Sequence, residues 1–439
     1  MSRRPERIVH LGVGAFFRAH QAWYTQHADP AGQWGIVGFT GRSATVADEL
    51  QPQDCKYNLV TRGADGDSIE LMESLVRIED GANVRNLVAT ISNPDIALVT
   101  LTITEAGYRV GADLECDLTD ARVIFDLGIF AGKTDAEPVT TLGRLALALE
   151  ARRVAEAGPI AIVPCDNMPS NGLVVRNVLS RFAAEMGVAS LGYFENQVSY
   201  VTTSIDRITP KTTQRDIDDV ARITGEKDAS PVVTEPFSDW VLSGDFPAGR
   251  PEWQAAGARF VEDIHPFENR KLWLLNGSHS LLAYAGQLLG YQTVAEAIAD
   301  EQLLSSVRAF WAEACRHLPQ EGLDLVAYQT ALLERFRNAR IAHSLKQISN
   351  DGATKLRVRV VPTALAELEA GRTAQACAVA IASWVAWVID TEDFVDSQKQ
   401  QIVNAKSSKD PVLELVSLVG PDLLSHSDFI ALVRNISKK

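Results

Sequence analysis

Residues 7–27 read RIVHLGVGAFFRAHQAWYTQH, and this stretch decides the fold. Arg7 to Gly12 is a short apolar run that ends in the tight sequence Gly12-Val13-Gly14, after which His20, Tyr24 and His27 recur at helical spacing. Strand, glycine turn and helix in that order open a dinucleotide-binding unit, in which backbone N–H groups and a helix start face phosphate. The third glycine of the full fingerprint is absent, its place taken by Phe17. A bare G-x-G is a weak motif, because many strand-to-helix turns use glycine only for its φ. Its place at the head of an alternating α/β region strengthens the reading.

Working outward, a second strand is expected at Trp34–Phe39, followed by Thr40, Gly41, Arg42 and Ser43. An NAD site usually carries an acid there for the ribose hydroxyls, whereas Arg42 suits a 2′-phosphate or bulk water equally. A β excursion begins at Lys56, and a strong strand spans Ile96–Thr104, ending in Glu105-Ala106-Gly107-Tyr108. A helix at Leu142–Ala157 leads to a strand at Ile160–Val163 and the polar loop PCDNMPSNG, residues 164–172. Asp and Asn are ordinary turn residues, so the loop's composition alone proves nothing. Further strand-like segments follow at Gln197–Ser204 and Val232–Leu242, then a Gly/Pro-rich connector at Gly244–Pro251.

A second decisive stretch is His265–Tyr291, HPFENRKLWLLNGSHSLLAYAGQLLGY. Pro266 and Glu268 mark a helix start and Gly290 a stop, so one long helix is expected. It is apolar nearly all round after Lys271, as a buried helix should be. Lys271, Asn276 and His279 break the pattern. At roughly 100° per residue, Asn276 lies about 140° round from Lys271 and His279 about 80°, so all three share one arc. Each alone reads as a snorkelling or backbone-bonded side chain; three together on a leucine-rich helix point to a site, because a desolvated lysine can serve as a general base.

From about residue 292 the pattern is helical, with segments near 293–317, 330–348, 363–370, 374–390, 411–418 and 421–436; only Leu356–Val361 (LRVRVV) reads as a strand, closed by Pro362. The expected architecture is α/β: a Rossmann-like dinucleotide-binding domain with additional β elements over 1–262, then a mostly α-helical substrate domain over 263–439, with ligand chemistry at the boundary. The chain has 439 residues, 46% of them hydrophobic and 22% charged, with a net charge of −14 spread without blocks. That composition disfavours nucleic acid and anionic membrane surfaces as partners. Five scattered cysteines without a CxxC pair suit a reducing compartment, and no apolar run is long enough for a bilayer, so a cytoplasmic protein is expected. The apolar run after Arg3 and Arg4 is too short for a signal peptide.

Seven motifs together resemble the polyol-specific long-chain dehydrogenases and reductases, of the mannitol 2-dehydrogenase and fructuronate reductase type. They are IVHLGVGAFFRAHQ (8–21), LTITEAGY (101–108), PCDNMPSNG (164–172), DRITP (206–210), TEPFSDWV (234–241), KLWLLNGSHSLLAYAG (271–286) and RFRNARIAHSLKQISNDGATK (335–355). The resemblance spans nearly the whole chain. It implies Lys271 as general base for alcohol oxidation, Asn167 and Asn276 as the pair that hydrogen-bonds the reacting oxygen, and Glu268 as the proton relay to solvent. His279, Asp206 and His343 are the implied substrate contacts. Gly12, Gly14, Phe16, Arg18, Arg42 and Glu105 are assigned to the cofactor, NAD or NADP with NAD favoured, and no metal is implied.

The expected substrate is a linear polyol oxidised to its 2-ketose. A hexuronate reductase is the alternative, since CDNMP and the segment around His343 and DGATK lean that way; a uronate needs a cation, for which Arg340, His343, Lys346, Lys355 and Arg357 are candidates. A dinucleotide sensor without catalysis is the rival of another class, and the complete Lys271, Asn167, Asn276 and His279 set argues against it.

Overall fold

The computed structural model describes residues 3–111 and 113–438 and divides into two compact units, Met1–Ile264 and His265–Lys439. The first unit is built on β1 (Glu6–Leu11), β2 (Gly35–Phe39), β3 (Tyr57–Arg62), β4 (Asp67–Met72), β5 (Leu75–Glu79), β6 (Leu98–Leu101), β7 (Ile160–Pro164) and β8 (Val198–Tyr200). Four further strands follow: β9 (Thr202–Asp206), β10 (Val232–Thr234), β11 (Asp239–Ser243) and β12 (Arg259–Phe260).

Six strands form one parallel sheet in the order β5-β2-β1-β6-β7-β8. The chain therefore builds outward from β1 in one direction, returns, and builds outward from β6 in the other. That reversal leaves a crevice at the carboxyl ends of β1 and β6, where ligands of open α/β sheets bind. Strand side chains alternate between faces: Ile8, Leu98, Ala161 and Val163 join one core, and Val9, Leu11, Val99, Leu101, Ile160 and Ile162 the other. Burial on both faces explains why these strands read as unbroken apolar runs. The second core is closed by helices that include Thr141–Val154 and Asn171–Met186. The first is covered by Ala15–Ala19 and Gln21–Ala28 together with residues of two three-stranded sheets, β10-β3-β4 and β12-β11-β9.

In the second unit the described residues form helices, and the one β contact is an isolated bridge between Thr293 and Ser344. Its apolar helix Gln375–Asp390 buries eleven residues and packs on Ser278–Leu288. Three expectations are corrected here. His265–Tyr291 is not one regular helix: it runs as α over His265–Arg270, as π over Lys271–Gly277 and as α again over Ser278–Leu288. Residues 330–348 break into Leu325–Phe336 and Leu345–Ile348. Leu356–Val361 is not a strand but spans the helices Gly352–Arg359 and Val361–Glu369. Leu356 and Val360, four residues apart, are both fully buried, and Pro362 sits in the first turn of the next helix, where its missing N–H costs nothing. No helix among the described residues is long and apolar enough to cross a membrane.

Candidate active site

The glycine turn is fixed from behind by side chains of its own sheet. His10 is fully buried opposite Thr100, its ring stacked on Phe17 at 3.6 Å. Its Nδ1 lies 2.8 Å from Thr100 Oγ1 and its Nε2 3.0 Å from Thr102 Oγ1, while the Thr102 hydroxyl donates to the Gly12 carbonyl at 2.8 Å. Burial holds the imidazole pKa down at about 3, so the ring is neutral and relays one donor and one acceptor. Phe17 thus fills the place of the missing third glycine with a ring that packs on the strand. Gly12 has φ +99°, and a Cβ there would meet the Thr102 carbonyl oxygen at 2.0 Å. At Gly14 a Cβ would meet nothing closer than 3.8 Å, so packing does not demand glycine there. The turn, open on that side, fits the phosphates of a dinucleotide, which Gly12 and Gly14 could hold.

The other residues assigned to the cofactor divide. Glu105 is exposed in the short turn after β6, Arg42 is exposed beyond β2, and half-buried Phe16 stacks on His20. Arg18 is different: it is buried, and its guanidinium donates to the carbonyls of Gly14 and Ser230 and to the Ser230 hydroxyl. Through these bonds it braces the turn from inside the unit.

The loop after β7 sorts its polar residues by direction. Asn171 is fully buried and exchanges hydrogen bonds with Thr203 of β9, and Asp166 is buried and accepts from the N–H groups of Ile103 and Thr104 and from the Tyr108 hydroxyl. Asn167 alone of the three is exposed. Asp206, at the end of β9 opposite Asp239, is buried. Arg207 beside it is structural, donating to the carbonyls of Glu235 and Ala19.

In the second unit the π-segment decides the geometry. A helix bonded from i to i+5 is wider than an α-helix, with about 4.4 residues per turn, so residue i+5 lies roughly 50° round from residue i rather than about 140°. Lys271 and Asn276 are so spaced, which narrows the wide angle expected of a regular α-helix and brings the two positions nearer one side. Two side chains hold the widened turn. Trp311 donates its indole N–H to the Leu274 carbonyl at 2.9 Å, and Arg359 donates to the Asn276 carbonyl at 3.3 Å and to the Ser280 hydroxyl at 3.2 Å. Gly277 is required by packing, since a Cβ would meet the Phe310 ring at 2.5 Å. Trp311→Phe keeps the packing and removes the donor, so it is expected to cost about 1 kcal/mol of stability while slowing turnover by more than that loss of folded protein explains. A thermal melt beside a rate measurement checks this, and an unchanged rate would show that the indole does not hold the turn.

His279 is 7% exposed, edge-on to His343 at 4.8 Å and against Phe336 at 5.1 Å. Its pKa lies well below the usual value, first through burial and then through the positive neighbours His343, Arg335, Arg359 and Lys355. Its Nε2 finds no hydrogen-bond partner among the described residues. Glu268 lies at the helix start with its carboxylate 3.1 Å from His265. Of the cations proposed for a carboxylate, Arg357 is spent on the carbonyls of Leu418 and Val419, and Arg340 and Lys346 are exposed. Arg335 and Arg359 were not anticipated; their spacing gives no signal without the chain path. Among the described residues no group of three or more His, Cys, Asp or Glu is placed to hold a metal ion.

Comparison with known proteins bears on both units. The family model for the mannitol dehydrogenase Rossmann domain matches residues 6–255, and that for the mannitol dehydrogenase C-terminal domain matches residues 263–437. The chain belongs to the mannitol dehydrogenase family. As a mannitol dehydrogenase family member it is an oxidoreductase of secondary alcohols in polyols or sugar acids. It is 32% identical to the D-mannonate oxidoreductase of Escherichia coli, over 98% of this chain and 92% of that one. Mannitol 2-dehydrogenase of Pyrenophora tritici-repentis is 33% identical over 96% of this chain and 77% of its own. Among solved structures, Pseudomonas fluorescens mannitol 2-dehydrogenase, in a ternary complex with NAD and D-mannitol, superposes with a TM-score of 0.82 at 31% identity, covering 100% of this chain and 92% of that one.

Proposed function

We propose that this family member interconverts a linear polyol and its 2-ketose, with Lys271 as the general acid and base. The observation that supports the reading is the π-turn over Lys271–Gly277, which narrows the angle between Lys271 and Asn276 on the helix that also carries buried His279 one turn on. NAD is the favoured cofactor, as the P. fluorescens relative was solved with it, and NADP is the alternative that Arg42 supports. When bound, the nicotinamide supplies a two-electron hydride acceptor. In oxidation the Lys271 amine takes the hydroxyl proton, and in reduction its ammonium returns it. Asn276 and Asn167 are assigned one task, donating N–H groups to the oxygen as negative charge develops on it. Neutral His279 orients a second hydroxyl through Nε2, Asp206 and His343 hold the remaining substrate hydroxyls, and Glu268 passes the proton between Lys271 and solvent.

One observation favours a second reading. Arg335, Lys355 and Arg359 all act on His279 as positive charges, a field suited to the carboxylate of a hexuronate. Nicotinamide absorbance with mannitol, arabinitol and mannonate, each with NAD and NADP, separates the two. Turnover of mannonate alone selects the second reading, and cofactor binding without turnover of any of them overturns both in favour of a sensor. Incubation with EDTA is expected to leave the rate unchanged, because a lysine and two amides do the work of a Lewis acid; strong inhibition that added metal reverses would overturn this assignment.

A further inference from the structure

Resting on the dehydrogenase reading, we propose that Asp166 is a positioning residue: its carboxylate holds Thr104 in a conformation reserved for glycine and so ties the loops after β6 and β7 into one rigid edge of the site. Thr104 has φ +66° and ψ 153°. That region is open in practice only to glycine, and a β-branched residue is among the least suited to it. Nothing about the threonine side chain repays the strain, because Thr104 is exposed. The backbone is held instead. Asp166 Oδ1 accepts the Thr104 N–H at 2.8 Å, and Oδ2 accepts the Ile103 N–H at 2.8 Å and the Tyr108 hydroxyl at 2.7 Å. On its other side the Asp166 carbonyl accepts from the Asn171 amide at 3.1 Å and from the Met168 N–H at 2.9 Å.

Two features separate this from an ordinary turn. Asp166 is 9% exposed, yet its carboxylate is held by two backbone N–H groups and the Tyr108 hydroxyl, with no Lys, Arg or His paired with it among the described residues. Burial of an uncompensated charge is costly and persists where the arrangement it fixes is needed. The location is the second feature. β6 borders the reversal of strand order and β7 is its neighbour, so the two loops leave adjacent carboxyl ends of the sheet. One carries Glu105, assigned to the cofactor, and the other Asn167, assigned to the reacting oxygen. Asp166 thus sets the separation between a cofactor residue and an oxyanion donor without touching either ligand.

The test uses Asp166→Asn, Thr104→Gly, their combination, and Tyr108→Phe in the full chain. An amide at 166 turns an N–H toward a backbone N–H and loses one of the three bonds. Asp166→Asn is expected to lower kcat by about 100-fold, the usual result of a small misplacement, with a weaker Kd for NAD and little change in the KM for the polyol. Glycine at 104 adopts the strained conformation unaided, so the double variant is expected to recover at least about tenfold of the loss, a rescue that a mere stability role does not give. Tyr108→Phe, which removes one bond without reversing any dipole, is expected to fall between parent and Asp166→Asn; it supplies the reading if the asparagine variant does not fold. The proposal is overturned if folded Asp166→Asn keeps kcat and NAD binding within about threefold of the parent, or if glycine at 104 rescues nothing. Titration of NAD by tryptophan fluorescence runs in parallel. If the parent turns over no polyol or sugar acid, the dehydrogenase reading falls, while an unchanged Kd for NAD in Asp166→Asn still decides against this proposal.

Discussion

Lys271→Ala is expected to abolish turnover at neutral pH, with a loss of at least about 1,000-fold, while NAD binding stays close to that of the parent. The side chain is half-buried at the start of the π-segment, and truncation removes the amine while leaving Gly12 and Gly14, assigned to the phosphates, unaltered. Without the amine the alcohol proton must pass to water, a far weaker base, and the limb of the pH–rate profile governed by the lysine should vanish. Steady-state oxidation and reduction across pH, with fluorescence titration of the cofactor, measure both consequences. Near-parental turnover would remove Lys271 from the chemistry.

Asn276→Ala and Asn167→Ala are each expected to lower kcat by about one to three orders of magnitude, the usual cost of one oxyanion donor. The two differ in their supports. Asn276 belongs to a backbone held through its own carbonyl by Arg359, and exposed Asn167 depends on the buried anchors Asp166 and Asn171 on either side of it in sequence. If both amides serve one oxygen, the double variant should lose less than the product of the single losses, because groups acting as a unit are not additive. Full multiplicativity, or a rise in substrate KM at constant kcat, would place them in ground-state binding instead.

Much of this was legible before any coordinates. Apolar runs buried on both faces announce their strands, and the glycine turn, the helical second half and the polar residues of the opening helix are visible as patterns. What was not legible has physical reasons. The helix Ala121–Phe130 is rich in β-branched and aromatic residues and leaves Ile124 and Phe125 exposed, so neither propensity nor periodicity reveals it; only its cap Asp120 gives a local signal. In the PCDNMPSNG loop, Asp166, Asn167 and Asn171 are equally plausible turn residues, and only the direction of each side chain tells anchor from exposed amide. His10 did leave a trace, since Thr100 and Thr102 alternate onto one face of the next strand. The π-turn left none: residues 271–275 suit an ordinary helix, and although Asn276 and Gly277 are poor helix formers, nothing in their order asks for a wider turn.

That last point has a consequence for how the protein can change. A segment whose local sequence prefers one geometry and whose neighbours enforce another is frustrated, and it sits at a site where function has set aside the most favourable local structure. Trp311 and Arg359 enforce the wider turn from outside it. Selection for heat resistance alone should therefore favour an ordinary α-turn over Lys271–Gly277, which at constant length swings Asn276 from about 50° to about 140° round from Lys271. In this chain the route to a sturdier helix and the route that keeps Lys271 and Asn276 toward one side part at a single turn.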